Sequence, residues 1–307
     1  MLKLALPDLV SNSYFPAIAA VELGFFAEQG LEVELEMIHP APQCYVALRE
    51  GRVDLVAGSA HLPALAFPGW QGAHLLCALS QGMYWFLVLR RDLGMRRGDL
   101  DALRDIRIVA APGVDLGFKR LLAAAGIDPT ERAIEIGPLA GGVPNGVSFG
   151  VAAAREMVAG RIDGFWANGM AAAVAVSSGA GEVVLDVRRG DGPPEAFHFT
   201  APSLATSSRL LEESPQIARA VVRAIINTQR ALKREPSLAR TVGERVFPAQ
   251  EAGLIQHLVE RDLPFYSPAL SRDFIERMLR FSMDLGLIDT PPDHRQVVAL
   301  SCADLRP

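Results

Sequence analysis

Hydrophobic and polar positions change their period three times within the first forty residues. Leu2–Leu6 ("LKLAL") is an apolar run of strand length. After a polar stretch, Ile18, Val21, Phe25 and Phe26 recur at roughly helical spacing. Pro16 suits the first turn of that helix, Ser13 is a candidate cap, and Gly30 is expected to end the helix in the left-handed region. From Leu31 the period falls to two: Leu31, Val33, Leu35 and Met37 alternate with Glu32, Glu34 and Glu36. The glutamates therefore read as the solvated face of a strand, not as an acid or metal site. Strand, loop, helix, strand in an open parallel sheet places the loop Pro7–Tyr14 at the carboxyl edge, where ligands bind.

The pattern returns later in the chain. "ALREGRVDLVAGSAHLPALA" (Ala47–Ala66) and "EMVAGRIDGFWANGMAAAVA" (Glu156–Ala175) align without a gap, so that Asp163 stands 109 positions after Asp54 and Asn168 after Ser59. Each has a helix end, Gly-Arg-Val/Ile-Asp, a short apolar strand, a small polar turn and another helix. The offset is too long for a solenoid repeat and fits two lobes built on one plan. "APGVDLGFKRLLAAAGIDP" (Ala111–Pro129) echoes the first helix more weakly, with Leu116, Leu121, Leu122 and Ala125 on its apolar face and Gly126 as its cap. Each lobe would then offer two turns at its sheet's carboxyl edge, and the cleft between lobes is the expected ligand site.

Tyr84–Arg90 ("YWFLVLR") reads as a strand able to cross between lobes, and Asp186–Ser207 carries the loop residues of a return crossing. From Ser214, with Pro215 in the first turn, Ile217, Val221, Val222, Ile225 and Ile226 mark a long amphipathic helix, and helical patterning continues through Phe281. The expected division is a discontinuous first lobe, 1–90 plus 190–307, and a second lobe, 91–189, with the helical tail packed on the first. At 307 residues the chain is longer than one typical core, which agrees with two lobes.

Charge and cysteine content narrow the chemistry. A net charge of -5 offers no electrostatic footprint for nucleic acid or an anionic membrane. Cys44, Cys77 and Cys302 are odd in number and scattered, so they indicate neither a disulfide framework nor a zinc site. His39, His61, His74, His198, His257 and His294 never fall at metal-ligand spacing, and no nucleophile elbow, phosphate loop or H-E-x-x-H is present. The expectation is no metal, no cofactor and no catalytic residue. No apolar run reaches the length of a membrane span, so no membrane insertion is expected. Pro7 and Asp8 interrupt the first apolar stretch, so the amino terminus does not read as a secretory leader. As written the chain is expected in the cytoplasm, or in the periplasm where a leader has been removed.

"SYFPAIAAVELGFFAEQGLEVE" and "LREGRVDLVAGS", with a looser match over Ser214–Pro236, resemble the NMT1/THI5-like substrate-binding proteins of ABC transporters, the SsuA, nitrate, sulfonate and taurine type. The resemblance implies an α/β, two-lobed fold of the periplasmic-binding-protein type II, with two crossover strands and a helical C-terminal extension. It implies a small organic ligand, sulfonate-, carboxylate- or pyrimidine-like, and an ABC permease as partner. Carried onto matching positions, it places ligand contacts at Ser11, Asn12, Tyr14 and Phe15, at Gly58, Ser59 and His61, at Gly113, Val114 and Asp115, and at Trp166 and Asn168. Helix-start amides there favour anions, and Tyr14 or Trp166 can stack on a planar ligand. Core packing of Trp166 and simple helix capping by Ser59 and Asn168 are the competing roles. His61 at a helix start, Cys44 and His198 are the residues left for chemistry, against ligand or capping contacts for His61 and a buried structural thiol for Cys44. The same fold resembles decarboxylases, a desulfinase and cofactor-precursor enzymes, so a cytoplasmic enzyme or ligand sensor stays open. A desulfinase would need a cysteine in the first loop, where this chain has Ser11 and Ser13.

Overall fold

The computed structural model describes residues 1–143 and 147–306. In chain order its elements begin β1 (Leu2–Leu6), α1 (Phe15–Glu22), β2 (Val33–Met37), α2 (Ala41–Arg49), β3 (Leu55–Ser59), α3 (Pro63–Ala66) and β4 (Ala73–Ala78). There follow β5 (Phe86–Arg90), β6 (Ile106–Ala110), α4 (Asp115–Ala124), β7 (Ile134–Gly137), α5 (Phe149–Val158), β8 (Gly164–Ala167), α6 (Gly169–Ser177) and β9 (Gly181–Asp186). The last stretch holds β10 (Pro202–Ser207), α7 (Ser208–Glu213), α8 (Pro215–Arg234), α9 (Leu238–Val246), α10 (Ala249–Asp262), α11 (Arg272–Asp284) and α12 (His294–Val297).

Two compact units result. The first comprises Met1–Leu9, Ser13–Gln81 and Thr200–Pro307, the second Val10–Asn12 and Gly82–Phe199. Apart from the short Val10–Asn12 excursion, the chain changes unit at Gln81/Gly82 and at Phe199/Thr200, where the sequence expectation is 90/91 and 189/190. The reason is pairing: β5 lies wholly in the second sheet, antiparallel to β8 and β9. Each sheet has five strands, in the orders β2-β1-β3-β10-β4 and β7-β6-β8-β5-β9. In both, the fourth strand alone runs antiparallel, and in both its pairing with the fifth carries one irregularity, at Leu204/Ala205 and at Leu87/Val88. The first unit's core gathers Tyr45, Leu48, Val56, Trp70, Leu75, Phe274, Met278 and Val297 from α2, β3, β4, α11, α12 and the loop before β4. Val221, Val222, Ile225 and Ile226 of α8 are buried within the same unit, as their spacing predicts.

The repeated Gly-Arg-Val/Ile-Asp has a structural cause in each unit. Gly51 and Gly160 take φ of 72° and 71°, and Arg52 N and Arg161 N donate back to Ala47 O and Glu156 O at 2.9 Å each. This is the left-handed helix ending that glycine permits most cheaply. The aspartate then joins neighbouring strands. Asp54 Oδ2 accepts from Lys3 N at 2.9 Å, and Asp163 Oδ2 accepts from Arg107 N at 2.9 Å. Each carboxylate captures the amide of the second residue of the adjacent parallel strand and so sets the register β1–β3 or β6–β8.

Two local expectations needed correction. α1 stops at Glu22, and Gly24 (φ 81°) turns the chain before a 3₁₀ turn Ala27–Gln29 closes on Gly30 (φ 73°). Ser13 does not cap α1: the N-cap position is Tyr14, whose carbonyl accepts from Ala17 N and Ile18 N.

Replacing Asp54 or Asp163 by alanine should cost about 1.5 kcal/mol each, the lower end for a hydrogen bond to a charged group because both are part-exposed. Asparagine, which keeps an acceptor, should cost less; urea denaturation showing no loss for either alanine would mean that the ladders close without the carboxylate. Burial lowers the proton affinity of His39, His74 and His294 below the ordinary 6.5. The unfolded chain then binds more protons near that pH, so stability should fall as pH drops below about 6.5. A urea midpoint that stays level or rises between pH 7 and pH 5 would contradict this.

Candidate functional site

In the second unit the carboxyl end of β8 runs directly into α6, and the junction residue is Asn168. Its backbone is extended (φ -69°, ψ 171°), and its Oδ1 accepts from Met170 N and Ala171 N at 3.1 Å each. The Met170 amide also donates to Asn12 Oδ1 at 2.9 Å. One helix-start amide is therefore shared by two carboxamide oxygens from distant parts of the sequence. Asn168 Nδ2 lies 3.5 Å from Ser11 Oγ, at the outer limit of a hydrogen bond. The start of α5 approaches closely because residue 150 is glycine: a Cβ there would lie 2.8 Å from Ala171 Cβ and 3.6 Å from Asn168 Oδ1.

An aromatic group adjoins this junction. Trp166, fully buried in β8, stacks on Phe118 of α4 with centroids 5.1 Å apart and planes at 26°, and meets Trp85 edge-on at 6.2 Å. Tyr84 follows Trp85 at 4.9 Å. Gly117 is needed for this packing, since a Cβ there would fall 2.5 Å from the Trp85 ring. Before α4, Gly113 (φ 85°) donates its amide to Asp115 Oδ1 at 2.9 Å, Val114 occupies the N-cap position, and Asp115 Oδ2 pairs with Lys119 Nζ at 2.6 Å. The Asp115 carboxylate thus stays engaged in its own helix start.

The first unit holds the other expected residues. Gly58 and Ser59 are strand residues of β3, paired with Ser203 and Pro202 of β10; the turn begins only at Ala60. Tyr45 Oη donates to Ser59 O at 2.9 Å, and a Cβ on Gly58 would lie 2.6 Å from that hydroxyl. The N-cap position of α3 is Leu62, three residues after Ser59, and the Ser59 carbonyl accepts from Leu62 N. His61 is fully buried, with Nδ1 3.0 Å from Thr200 Oγ1 and its ring edge-on to Phe281 at 5.2 Å. Tyr14 is buried, and Phe15 packs edge-on to Phe247 at 6.2 Å. All three cysteines are buried; burial pushes the Cys44 and Cys77 thiols up to about 12 and raises Cys302. Cys44 Sγ donates to Ile38 O, the structural role expected of it.

The structure therefore brings Ser11, Asn12, Trp166 and Asn168 together within the second unit. It sets Gly113, Val114 and Asp115 at another helix start there, and keeps Tyr14, Phe15, Gly58, Ser59 and His61 in the first unit. Sequence reasoning missed the shared Met170 amide and the partners of Trp166. Trp85 was already inside a recognised strand pattern, but its approach to Trp166 depends on the register Leu87↔Trp166, which no one-dimensional period encodes. Among the described residues no group of three His, Cys, Asp or Glu side chains is placed to hold a metal ion, and no helix is long and apolar enough to cross a membrane.

A model of the NMT1-like family matches residues 9–246. No curated protein sequence matches at a significant level. Among solved structures, a protein from Bordetella bronchiseptica RB50 is similar with a TM-score of 0.76 at 18% identity, over 99% of this chain and 96% of that one. The alkanesulfonate-binding protein SsuA from Xanthomonas axonopodis pv. citri, bound to MOPS, is similar with a TM-score of 0.69 at 15% identity, over 97% and 95%. A mutant of DSZB in complex with biphenyl-2-sulfinic acid is similar with a TM-score of 0.63 at 16% identity, over 98% of each chain. These likenesses show the fold: α/β, of the periplasmic-binding-protein type.

Gly58→Ala should destabilise the protein by about 1–3 kcal/mol, the range for overpacking a closed core. Tyr45→Phe, which removes the opposing hydroxyl, should recover part of that loss in the double variant. Additive losses in a denaturation cycle would show that the Tyr45 contact is not what requires glycine.

Proposed function

Because the chain belongs to the NMT1-like family, we propose that it is a solute-binding protein of an ABC-type uptake system. The solute is a small organic molecule, sulfonate-, carboxylate- or pyrimidine-like, held at the carboxyl-edge turns. The observation that carries this reading is the α6 start, where Asn12 and Asn168 oxygens meet the Met170 amide beside the Trp166, Phe118 and Trp85 rings. A helix-start amide favours an anionic or strongly polar acceptor, and the aromatic group supplies an apolar wall for a planar body. An arriving acceptor can take the Met170 amide from Asn12 while Asn168 keeps capping the helix, so that no backbone donor is left unsatisfied. Binding by the SsuA neighbour of a sulfonate buffer supports the ligand class. In this role the protein acts in the periplasm and hands its solute to a membrane permease.

An enzyme on the same fold is the second reading, favoured by the likeness to DSZB. Its chemistry here would need a nucleophile other than cysteine, since Ser11 and Ser13 occupy the first loop and burial raises all three thiols.

A thermal-shift screen with sulfonates, aromatic carboxylates and pyrimidines should find a ligand; at 100 times its dissociation constant it would add about 2.7 kcal/mol. Calorimetry should then show Asn12→Ala and Asn168→Ala each weakening binding by roughly 1.5–3 kcal/mol, while loss of the Asn168 cap lowers stability by about 0.5–2 kcal/mol. Unchanged affinity with lowered stability would reduce Asn168 to a cap and displace the site. Recovery of a chemically altered ligand would favour the enzyme.

A further inference from the structure

At the amino edge of the first sheet, where Ser207 of β10 pairs with Ala73 of β4, lies a concavity of about 320 Å³. Arg49, Glu50, Gly51, Phe67, Ser208 and Arg209 line it. The solute site proposed above uses none of them.

Ser208 Oγ lies 2.9 Å from His74 Nε2. The His74 Nδ1 atom is enclosed and has no hydrogen-bond partner among the described residues. A proton on Nδ1 would leave a buried N–H orphaned, whereas an unpaired acceptor is better tolerated. The proton therefore belongs on Nε2, which donates to Ser208 Oγ and turns the serine's own proton away from His74. His74 cannot then serve as the base that would make Ser208 a nucleophile. Burial keeps the ring neutral by lowering its proton affinity, with Glu212 opposing in part.

Ser208 is thus a hydroxyl donor, and two guanidinium groups accompany it. Arg49 spends one N–H on Ala66 O at 2.7 Å. The Arg209 guanidinium lies close beside Gly51, where a Cβ would come 3.3 Å from Nη2 and 3.6 Å from Cζ. Neither arginine forms an ion pair among the described residues, and the acid on the rim, Glu50, is already paired with Arg52 at 2.8 Å. The backbone at the start of α7 does not contribute, since Ser208 N donates to Gly72 O and Leu210 N to Ser207 Oγ.

We propose that this concavity is an oxyanion site of the phosphate class, separate from the solute site, in which Arg49, Arg209 and Ser208 are the donors. Planar guanidinium forks match tetrahedral oxyanions in two-point contacts, and the hydroxyl supplies a third direction. The donor set suits free phosphate and the head of a phosphomonoester alike.

The test is calorimetric titration of the full chain with inorganic phosphate and with glycerol phosphate, each against chloride at equal ionic strength. Saturable binding is expected, with a Kd of about 1 mM or below. Arg49→Gln and Arg209→Gln should each weaken it about tenfold or more, the loss expected for one hydrogen bond to a charged group. Ser208→Ala should weaken it by a smaller factor, and tighter binding of glycerol phosphate than of phosphate would identify a phosphomonoester as the preferred source. Circular dichroism confirms that each variant is folded. Absence of saturable binding to the unmodified protein overturns the proposal. So does phosphate binding that survives Arg209→Gln but is lost in Asn12→Ala, which assigns the anion to the solute turns.

Discussion

A carboxylate that accepts an amide near the start of the neighbouring strand is the contact on which the rest of this protein depends. Asp54 holds β3 against β1, and Asp163 holds β8 against β6. In parallel pairing a slip of one residue would exchange the two faces of a strand. The aspartates fix the register at the strand starts, and the side chains at the carboxyl ends follow from it. Trp166 reaches Phe118, and Asn168 arrives at the first amides of α6, because the ladder upstream has only one setting.

The duplication legible in the sequence is this device, used twice. Gly51 and Gly160 end one helix in the left-handed region, the arginine that follows returns its amide to the helix, and the aspartate seizes the next strand. These are local requirements written in four consecutive residues, so a linear reading recovers them. The strands, the long α8 and the Gly126 helix ending were legible for the same reason: their signals lie within one element. The shortened α1 was not, since nothing in its apolar spacing distinguishes a continued helix from the Gly24 turn followed by a 3₁₀ turn.

The site was legible in part. The echo puts Ser59 and Asn168 at matched positions, but the second helix of each pair starts at a different distance. α6 begins one residue after Asn168, which caps it, while α3 begins four residues after Ser59, with Leu62 at its N-cap position. His61 read as an edge residue because it follows a strand; Thr200 and Phe281, which enclose it, lie more than a hundred residues away. The meeting of Asn12 with Met170 spans a similar distance and leaves no periodic trace. Long-range contacts of this kind build the proposed site, and they depend on the register that the aspartates impose.

If the start of α6, shared by Asn12 and Asn168, is where a solute is held, ligand should protect its amides. Amide hydrogen exchange, followed by mass spectrometry with and without a ligand that stabilises the protein, reads this out. Exchange should slow in the peptides spanning residues 10–12 and 168–171. Stabilisation by ligand with exchange unchanged in both segments would contradict it.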